Sequence, residues 1–269
     1  MSDDKLKKLE NEILDLKNQN NFLVHEITFL KNVLIKKNLL TFENENYCPI
    51  CDEFSVFDSF SVHFRKNVRC PNCKSLERQR LVYLLFLQRF DYIFRNKSIK
   101  LLHFAPEEVF YDYFTKFSNI DYVTVDFNPA VYEARNIHIK HKVNMESIPF
   151  PDETFDFIYN SHVLEHVPDD IKGMSELYRV LKKDGVCITL VPIFNINETF
   201  EKEEYNTPEL RLKYYGQEDH VRKYGLDFKS RLESVGFNVE EIRPEDIVKT
   251  HAERQLFKFY GDIVFICTK

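Results

Sequence analysis

Along the first forty residues apolar positions recur three and four apart: Leu6, Leu9, Ile13 and Leu16, then, after Asn20, Leu23, Ile27, Leu30 and Leu34. With Leu6 at heptad position a, the a residues are Leu6, Ile13, Asn20, Ile27 and Leu34 and the d residues Leu9, Leu16, Leu23 and Leu30. Branched residues at a with Leu at d favour two parallel strands, and a single Asn at a fixes register. The g-to-e′ pairs of such a dimer, Lys5–Glu10, Glu12–Lys17 and Glu26–Lys31, all join opposite charges. Residues 1–40 are therefore expected to form a parallel coiled coil that makes a homodimer or docks a partner helix.

The pattern changes after residue 75. Ser75 is placed to cap a helix from Leu76 to about Arg89, with Leu81, Leu84, Leu85 and Phe86 on its apolar side; residues 76–98 read as a linker helix. From residue 99 apolar runs alternate with helical periodicity. Ile99–Ala105, Asp121–Phe127, Ile137–Val143, Phe155–Asn160 and Val186–Val191 read as strands, and Phe237–Ile242 and Ile263–Cys267 as a closing pair. Between them Glu107–Phe117, with Pro106 in its first turn, Asp169–Leu181, ending near Gly185, and Leu226–Ser234 read as helices. This alternation predicts an α/β fold, a doubly wound, mostly parallel, Rossmann-like sheet over residues 99–269. Ligands of such sheets bind beyond the carboxyl ends of the strands, at the point where strand order reverses. The acidic, aromatic stretch 194–224 is long enough to be a lid over that point.

Composition narrows the chemistry. All six glycines lie at Gly173 or later, which excludes both G-x-G-x-x-G and G-x-x-x-x-G-K-[ST] phosphate loops from the first half. The charged start, Met1–Glu10, lacks a signal-peptide core, and the longest apolar run, Leu81–Leu87, is far short of a bilayer span. The expected location is cytoplasmic, where cysteines bind metal more readily than they form disulfides. Cys48-Pro-Ile-Cys51 and Cys70-Pro-Asn-Cys73 have the C-x2-C…C-x2-C spacing of a four-cysteine zinc ribbon, spanning 41–75. Four protein ligands close the coordination shell, so this Zn is expected to be structural. Cys187 and Cys267 lie in apolar runs and read as core residues. The charge balance is −9 over residues 100–269 and +2 over 48–80, which argues against a general polyanion binder.

Several landmarks then fall in one order. They are Val125-Asp126 ending the second strand, the run from Asn144 to Asp152, Thr154-Phe155-Asp156-Phe157-Ile158, Ser161-His162-Val163-Leu164-Glu165-His166-Val167, and Glu176 to Gly185. In this order they resemble the type 11 group of class I S-adenosylmethionine-dependent methyltransferases. The ribbon, together with Tyr215-Gly216-Gln217-Glu218-Asp219-His220-Val221-Arg222, resembles a bacterial subset linked to surface-polysaccharide pathways. The family's glycine-rich first motif is replaced here by His103-Phe104-Ala105-Pro106-Glu107-Glu108.

The resemblance implies that His103, Ala105 and Pro106 approach the amino-acid tail and ribose of the cofactor. It further implies that Asp126 accepts hydrogen bonds from the ribose hydroxyls, that Asn144 and Met145 meet the adenine, and that Asn160, Ser161 and His162 end the strand where the acceptor meets the methyl group. A hydroxyl acceptor needs a base near neutral pH. His162 and His220 are the candidates, with Tyr215 positioning the acceptor. His162-Val-Leu-Glu165-His166 also fits H-x-x-E-H, but a protease site of that kind needs a long helix. This window follows a strand and precedes Pro168, so Glu165 and His166 are assigned supporting roles. The expected function is S-adenosylmethionine-dependent methylation of a hydroxyl on a sugar, phosphosugar or other small surface-glycan precursor. Two alternatives remain: an RNA methyltransferase docking through the basic ribbon, and a non-catalytic dimeric scaffold.

Overall fold

A computed structural model describes Leu16, Lys17 and Leu23, all helical, and residues 46–60, 65–248 and 262–269. The coiled-coil reading of 1–40 otherwise lies outside the described residues. The chain divides into two compact units, Met1–Lys97 with Arg243–Gly261, and Ser98–Ile242 with Asp262–Lys269. The sequence reading kept 99–269 in one piece; Arg243–Gly261 instead belongs to the first unit, where the one-turn helix Pro244–Ile247 lies beside the helix that follows the cysteines.

The first unit begins with two small antiparallel pairs, β1 (Asn46–Cys48) with β2 (Glu53–Ser55) and β3 (Asp58–Phe60) with β4 (Arg65–Arg69). Helix α1 (Glu77–Leu85) follows, then a π-helical turn at Phe86–Phe90 and α2 (Asp91–Asn96). The expected single helix is thus divided. Phe86, Phe90 and Phe94, one turn apart on one face, gather there, with the Phe86 ring edge-on to both of the others. Ser75 does not cap α1. Gln79 reaches back instead, its Oε1 accepting from the Leu76 N–H at 2.7 Å.

In the second unit β5 (Ile99–Phe104), β6 (Ile120–Asp126), β7 (His141–Lys142), β8 (Phe155–Ser161), β9 (Leu181–Leu190), β10 (Asn238–Ile242) and β11 (Val264–Thr268) form one seven-stranded sheet in the order β10-β11-β9-β8-β5-β6-β7. The five strands from β7 to β9 are parallel, and β11 runs antiparallel to both its neighbours. Continuous apolar runs in β5 and β8 meet the demand of a sheet buried on both faces. Helices α3 (Glu108–Phe114), α4 (Asp170–Val180), α5 (Pro208–Tyr215) and α6 (Phe228–Ser234) complete the unit.

Local chemistry sets the helix ends. Asp169 accepts the Lys172 N–H at the start of α4. Thr207 does the same for Leu210 in α5, with Pro208 next, and Gly216 closes that helix at φ 92°. Three boundaries depart from expectation. Pro106 precedes α3, whose cap is Glu107, rather than lying in its first turn. The third strand shrinks to His141–Lys142. Chain reversal after α4 comes at Leu181, so Gly185 sits inside β9; a Cβ there would stand 2.8 Å from Leu181 Cδ1, where the β8–β9 register shifts. The core centres on Leu102, Phe104, Val123, Ile158, Leu177 and Phe228. Among the described residues no helix is long and apolar enough to cross a membrane.

Candidate functional site

Strand order reverses between β5 and β8, and the two strands leave the sheet there in the same way. Ala105 and His162, the residues that follow them, both adopt left-handed backbone, at φ 48° and 56°. Their N–H groups bond outward, Ala105 to Val125 O and His162 to Leu190 O, each at 2.9 Å. The ends of β5 and β8 are therefore each tied to the strand on their far side, and the crevice that such sheets form at a strand reversal would lie between them. Non-glycine residues at positive φ cost of order 1–3 kcal/mol and concentrate at functional sites. The turn that glycine usually makes is made here by alanine and histidine.

Asp126 closes β6 beside this crevice. Its Oδ1 accepts the Asn128 N–H at 2.6 Å and its Oδ2 the Tyr132 hydroxyl at 2.9 Å. A carboxylate has about four acceptor positions, so both oxygens are oriented and keep lone pairs for a ligand. Asn144 is exposed, with its amide turned onto Glu146. Ser161 is buried and its Oγ has no hydrogen-bond partner.

Four expected contacts are corrected by burial. His103 is sealed among Phe114, Tyr122 and Tyr159, with Nδ1 2.7 Å from the Tyr122 hydroxyl. Burial pushes its pKa down to about 3, so it is a neutral core residue beneath the crevice. Met145 points into the core among Leu164 and Met174 while its neighbour Asn144 faces out. Asn160 is fully buried and bound across strands, accepting from Thr189 Oγ1 at 2.6 Å and donating toward Cys187 Sγ. Tyr215 is enclosed in the 194–224 segment, its hydroxyl on the backbone N–H and carbonyl of Lys202 and its ring near Phe200 and Tyr205. Each side chain is committed to packing and cannot reach a ligand directly. Pro106 is likewise buried, whereas Ala105 and Glu107 are half-buried and Glu108 is exposed.

The histidines behave otherwise. His162 stands with its ring 29% exposed and Nδ1 3.1 Å from Glu165 Oε1. His220, 4% exposed, faces His166 edge-on at 4.8 Å between ring centroids. The buried Arg222 builds this corner. It donates to the carbonyls of Leu164, Val167 and Pro168, pairs with Glu201 at 2.7 Å, and so binds the 163–168 turn to the strand-like segment that carries His220. Val221 N–H to Glu165 O at 2.9 Å adds a backbone link. Burial pushes the Glu165 carboxyl up, but the adjacent His162 and His166 hold it below its ordinary value; burial pushes the His220 imidazole down. The sequence reading placed Glu165 and His166 behind the site; they share it with His220. The H-x-x-E-H spacing was the available signal, obscured because the third partner arrives from another part of the chain.

In the first unit Cys48, Cys51, Cys70 and Cys73 converge, their sulfurs all within 4.8 Å of one another. Cys48–Cys73 and Cys51–Cys70 are separated by 3.6 and 3.8 Å. A tetrahedral zinc with Zn–S bonds of about 2.3 Å sets neighbouring sulfurs about 3.8 Å apart, so the residues fit such an ion. The residue after each C-x2-C, Asp52 and Lys74, takes φ 56° and 58°, turning both knuckles alike. Ser75 Oγ sits 3.1 Å from Cys73 Sγ, which explains why it is not a helix cap. The fully buried Arg80 donates to Ser75 O and Val68 O over the Phe57 ring; burial pushes its pKa down while the nearby cysteine sulfurs pull it back up. Cys187 and Cys267 face each other across β9 and β11 as buried thiols in the core.

Comparison with known proteins agrees with the sheet. A family profile described as a methyltransferase domain matches residues 107–189, beginning just past the glycine-free loop. A ubiquinone/menaquinone biosynthesis C-methyltransferase of Haemophilus ducreyi is 32% identical over 169 residues, covering 55% of this chain and 60% of that protein. Its Geobacter sulfurreducens counterpart is 37% identical over 125 residues, 45% of this chain and 41% of the relative. A probable S-adenosylmethionine-dependent methyltransferase of Mycolicibacterium smegmatis is 28% identical over 108 residues, 39% of this chain and 37% of the relative. The chain thus spans less than two thirds of the curated relatives it matches. The second unit is a Rossmann-like, mostly parallel sheet, of which residues 107–189 are similar to a methyltransferase domain.

Proposed function

We propose that the protein transfers a methyl group from S-adenosylmethionine to a small-molecule acceptor held over the β5–β8 crevice. The observation that carries this reading is Asp126, a carboxylate oriented at the tip of β6 beside the strand reversal, within the matched segment. Its free lone pairs suit the two ribose hydroxyls, and the half-buried Ala105 turn, with its small side chain, lets backbone come close to the sulfonium tail. A sulfonium cofactor carries the leaving-group chemistry itself; the chain supplies alignment and, for an oxygen nucleophile, a base. His162, part-exposed at the end of β8, is placed for that role.

The acceptor is read as a hydroxyl of a sugar or phosphosugar on the resemblance alone, whereas the relatives' names describe methylation of carbon in quinone biosynthesis. Labelled S-adenosylmethionine offered with a panel of phosphosugars and a demethylated quinone separates the two. Calorimetric titration with S-adenosylmethionine tests the enzyme reading itself: micromolar binding is expected, and no binding at millimolar cofactor would leave the scaffold alternative. A structural zinc on Cys48, Cys51, Cys70 and Cys73 and a homodimer through residues 1–40 complete the proposal. Metal analysis and light scattering of the full chain test them.

A further inference from the structure

We propose that Glu165, His166 and His220 form a second metal site, binding a divalent transition-metal ion at the mouth of the crevice. One donor atom from each of the three lies within 4.8 Å of the others. The burial of Glu165 and His220, two polar groups side by side, points to a cation between them. Glu165 is 1% exposed; His162 Nδ1 approaches its Oε1 at 3.1 Å, and its Oε2 has no hydrogen-bond partner among the described residues. His220 is 4% exposed, and neither ring nitrogen has a hydrogen-bond partner among the described residues. Buried polar atoms in native folds are satisfied almost without exception, and one ion would satisfy the unpartnered atoms of both Glu165 and His220. Imidazole and carboxylate donors in a two-to-one ratio suit zinc and its first-row neighbours.

The surroundings have the form of a supported metal site. His166 Nδ1 lies 3.3 Å from both the carbonyl oxygen and the Oδ2 of Asp219, which fixes the ring and leaves Nε2 to bind. Metal-bound histidines are oriented in this way by an oxygen on the far nitrogen. Arg222 and the Val221–Glu165 bond hold the two chain segments together, so the site is braced without the ion. Three protein donors leave coordination positions open, and the part-exposed rings of His162 and His166 mark the open side. The ligand set shares no residue with the four cysteines, and the inference does not depend on the methyl-transfer reading.

Cobalt(II) titration of the metal-stripped full chain, followed by absorption spectroscopy, tests it. Cysteine ligation gives an intense sulfur-to-cobalt charge-transfer band, and a nitrogen–oxygen site gives only weak visible bands. Two classes of bound cobalt are expected, one without thiolate bands. That class should weaken at least 100-fold in Glu165→Gln and in His166→Ala, the latter altering a part-exposed ring. Circular dichroism establishes that each variant is folded; if Glu165→Gln fails to fold, His166→Ala decides. Cobalt bound only with thiolate bands, or a nitrogen–oxygen class that survives in the folded variants, would overturn the proposal. Loss of the thiolate class alone would refute the ribbon zinc and leave this site standing.

Discussion

At the residue scale the chain uses polar side chains for two opposed purposes, and burial separates them. Asp126 is oriented yet open; His103 is closed. Asp126→Ala should weaken S-adenosylmethionine binding by one to two powers of ten, since hydrogen bonds to a charged acceptor are worth about 1.5–3 kcal/mol each. Titration calorimetry reads this directly, and unchanged affinity would remove Asp126 from the cofactor site. His103 makes a pH prediction. Its folded pKa of about 3 lies below the unfolded value of about 6.5. Its neutral form therefore stabilises the fold fully above pH 6.5, and that stability is lost as pH falls from 6.5 toward 3. The loss from this residue approaches about 1.4 kcal/mol per pH unit well below 6.5. Urea unfolding at pH 7 and pH 5 should show a steeper acid decline in wild type than in His103→Phe, and equal slopes would mean that His103 is not buried neutral. Sequence alone could put His103 next to the first motif, but could not show that an aromatic cage faces it from α3, β6 and β8.

At the element scale, what repeats locally was readable and what meets from afar was not. The parallel strands announced themselves as apolar runs, and Asp126 by its place at the end of one. Thr207-Pro208 and Gly216 bracket α5 by turn chemistry alone. By contrast, Gly185 looked like a helix end because glycine usually is one, whereas the β8–β9 register and the close approach of Leu181 put it within a strand. Tyr215 and Met145 took their expected roles from the resemblance, which gives a position along the chain but not the depth of a given side chain; both are buried. Arg222 was legible only as the last residue of the segment beginning at Tyr215, with no sign that it makes the corner in which His220 meets Glu165. Replacing it with Met should cost about 3–5 kcal/mol, the usual range for removing one partner from a buried charged network, because Asp170, Glu201 and three carbonyls lose their cation. Denaturant midpoints measure that loss. Hydrogen exchange should show faster opening in residues 163–168 than in β5, and uniform protection would mean that the clamp does not hold this turn.

At the scale of the whole molecule, two units with separate cores differ in what sustains them. The sheet of the second unit buries a continuous apolar layer and contains no proposed structural metal. Around the cysteines, by contrast, the apolar cluster is small: Cys48, Phe57 and Cys70, with Ile50, Cys51 and Cys73 at its edge. Four of those six residues are cysteines, and β1 to β4 are strands of three to five residues. Strands this short do not hold alone in water, and the proposed zinc would supply what burial does not. Zinc contributes about 10–16 kcal/mol in small cysteine modules, enough to exceed the whole stability of a typical domain. Adding a strong chelator should therefore abolish or lower one calorimetric transition, that of the cysteine module, while the transition of the sheet moves by only a few degrees. Restoring zinc should restore the first transition. If both transitions fall together, or neither moves while metal analysis shows the zinc gone, then the four converging cysteines are not what holds the first unit folded.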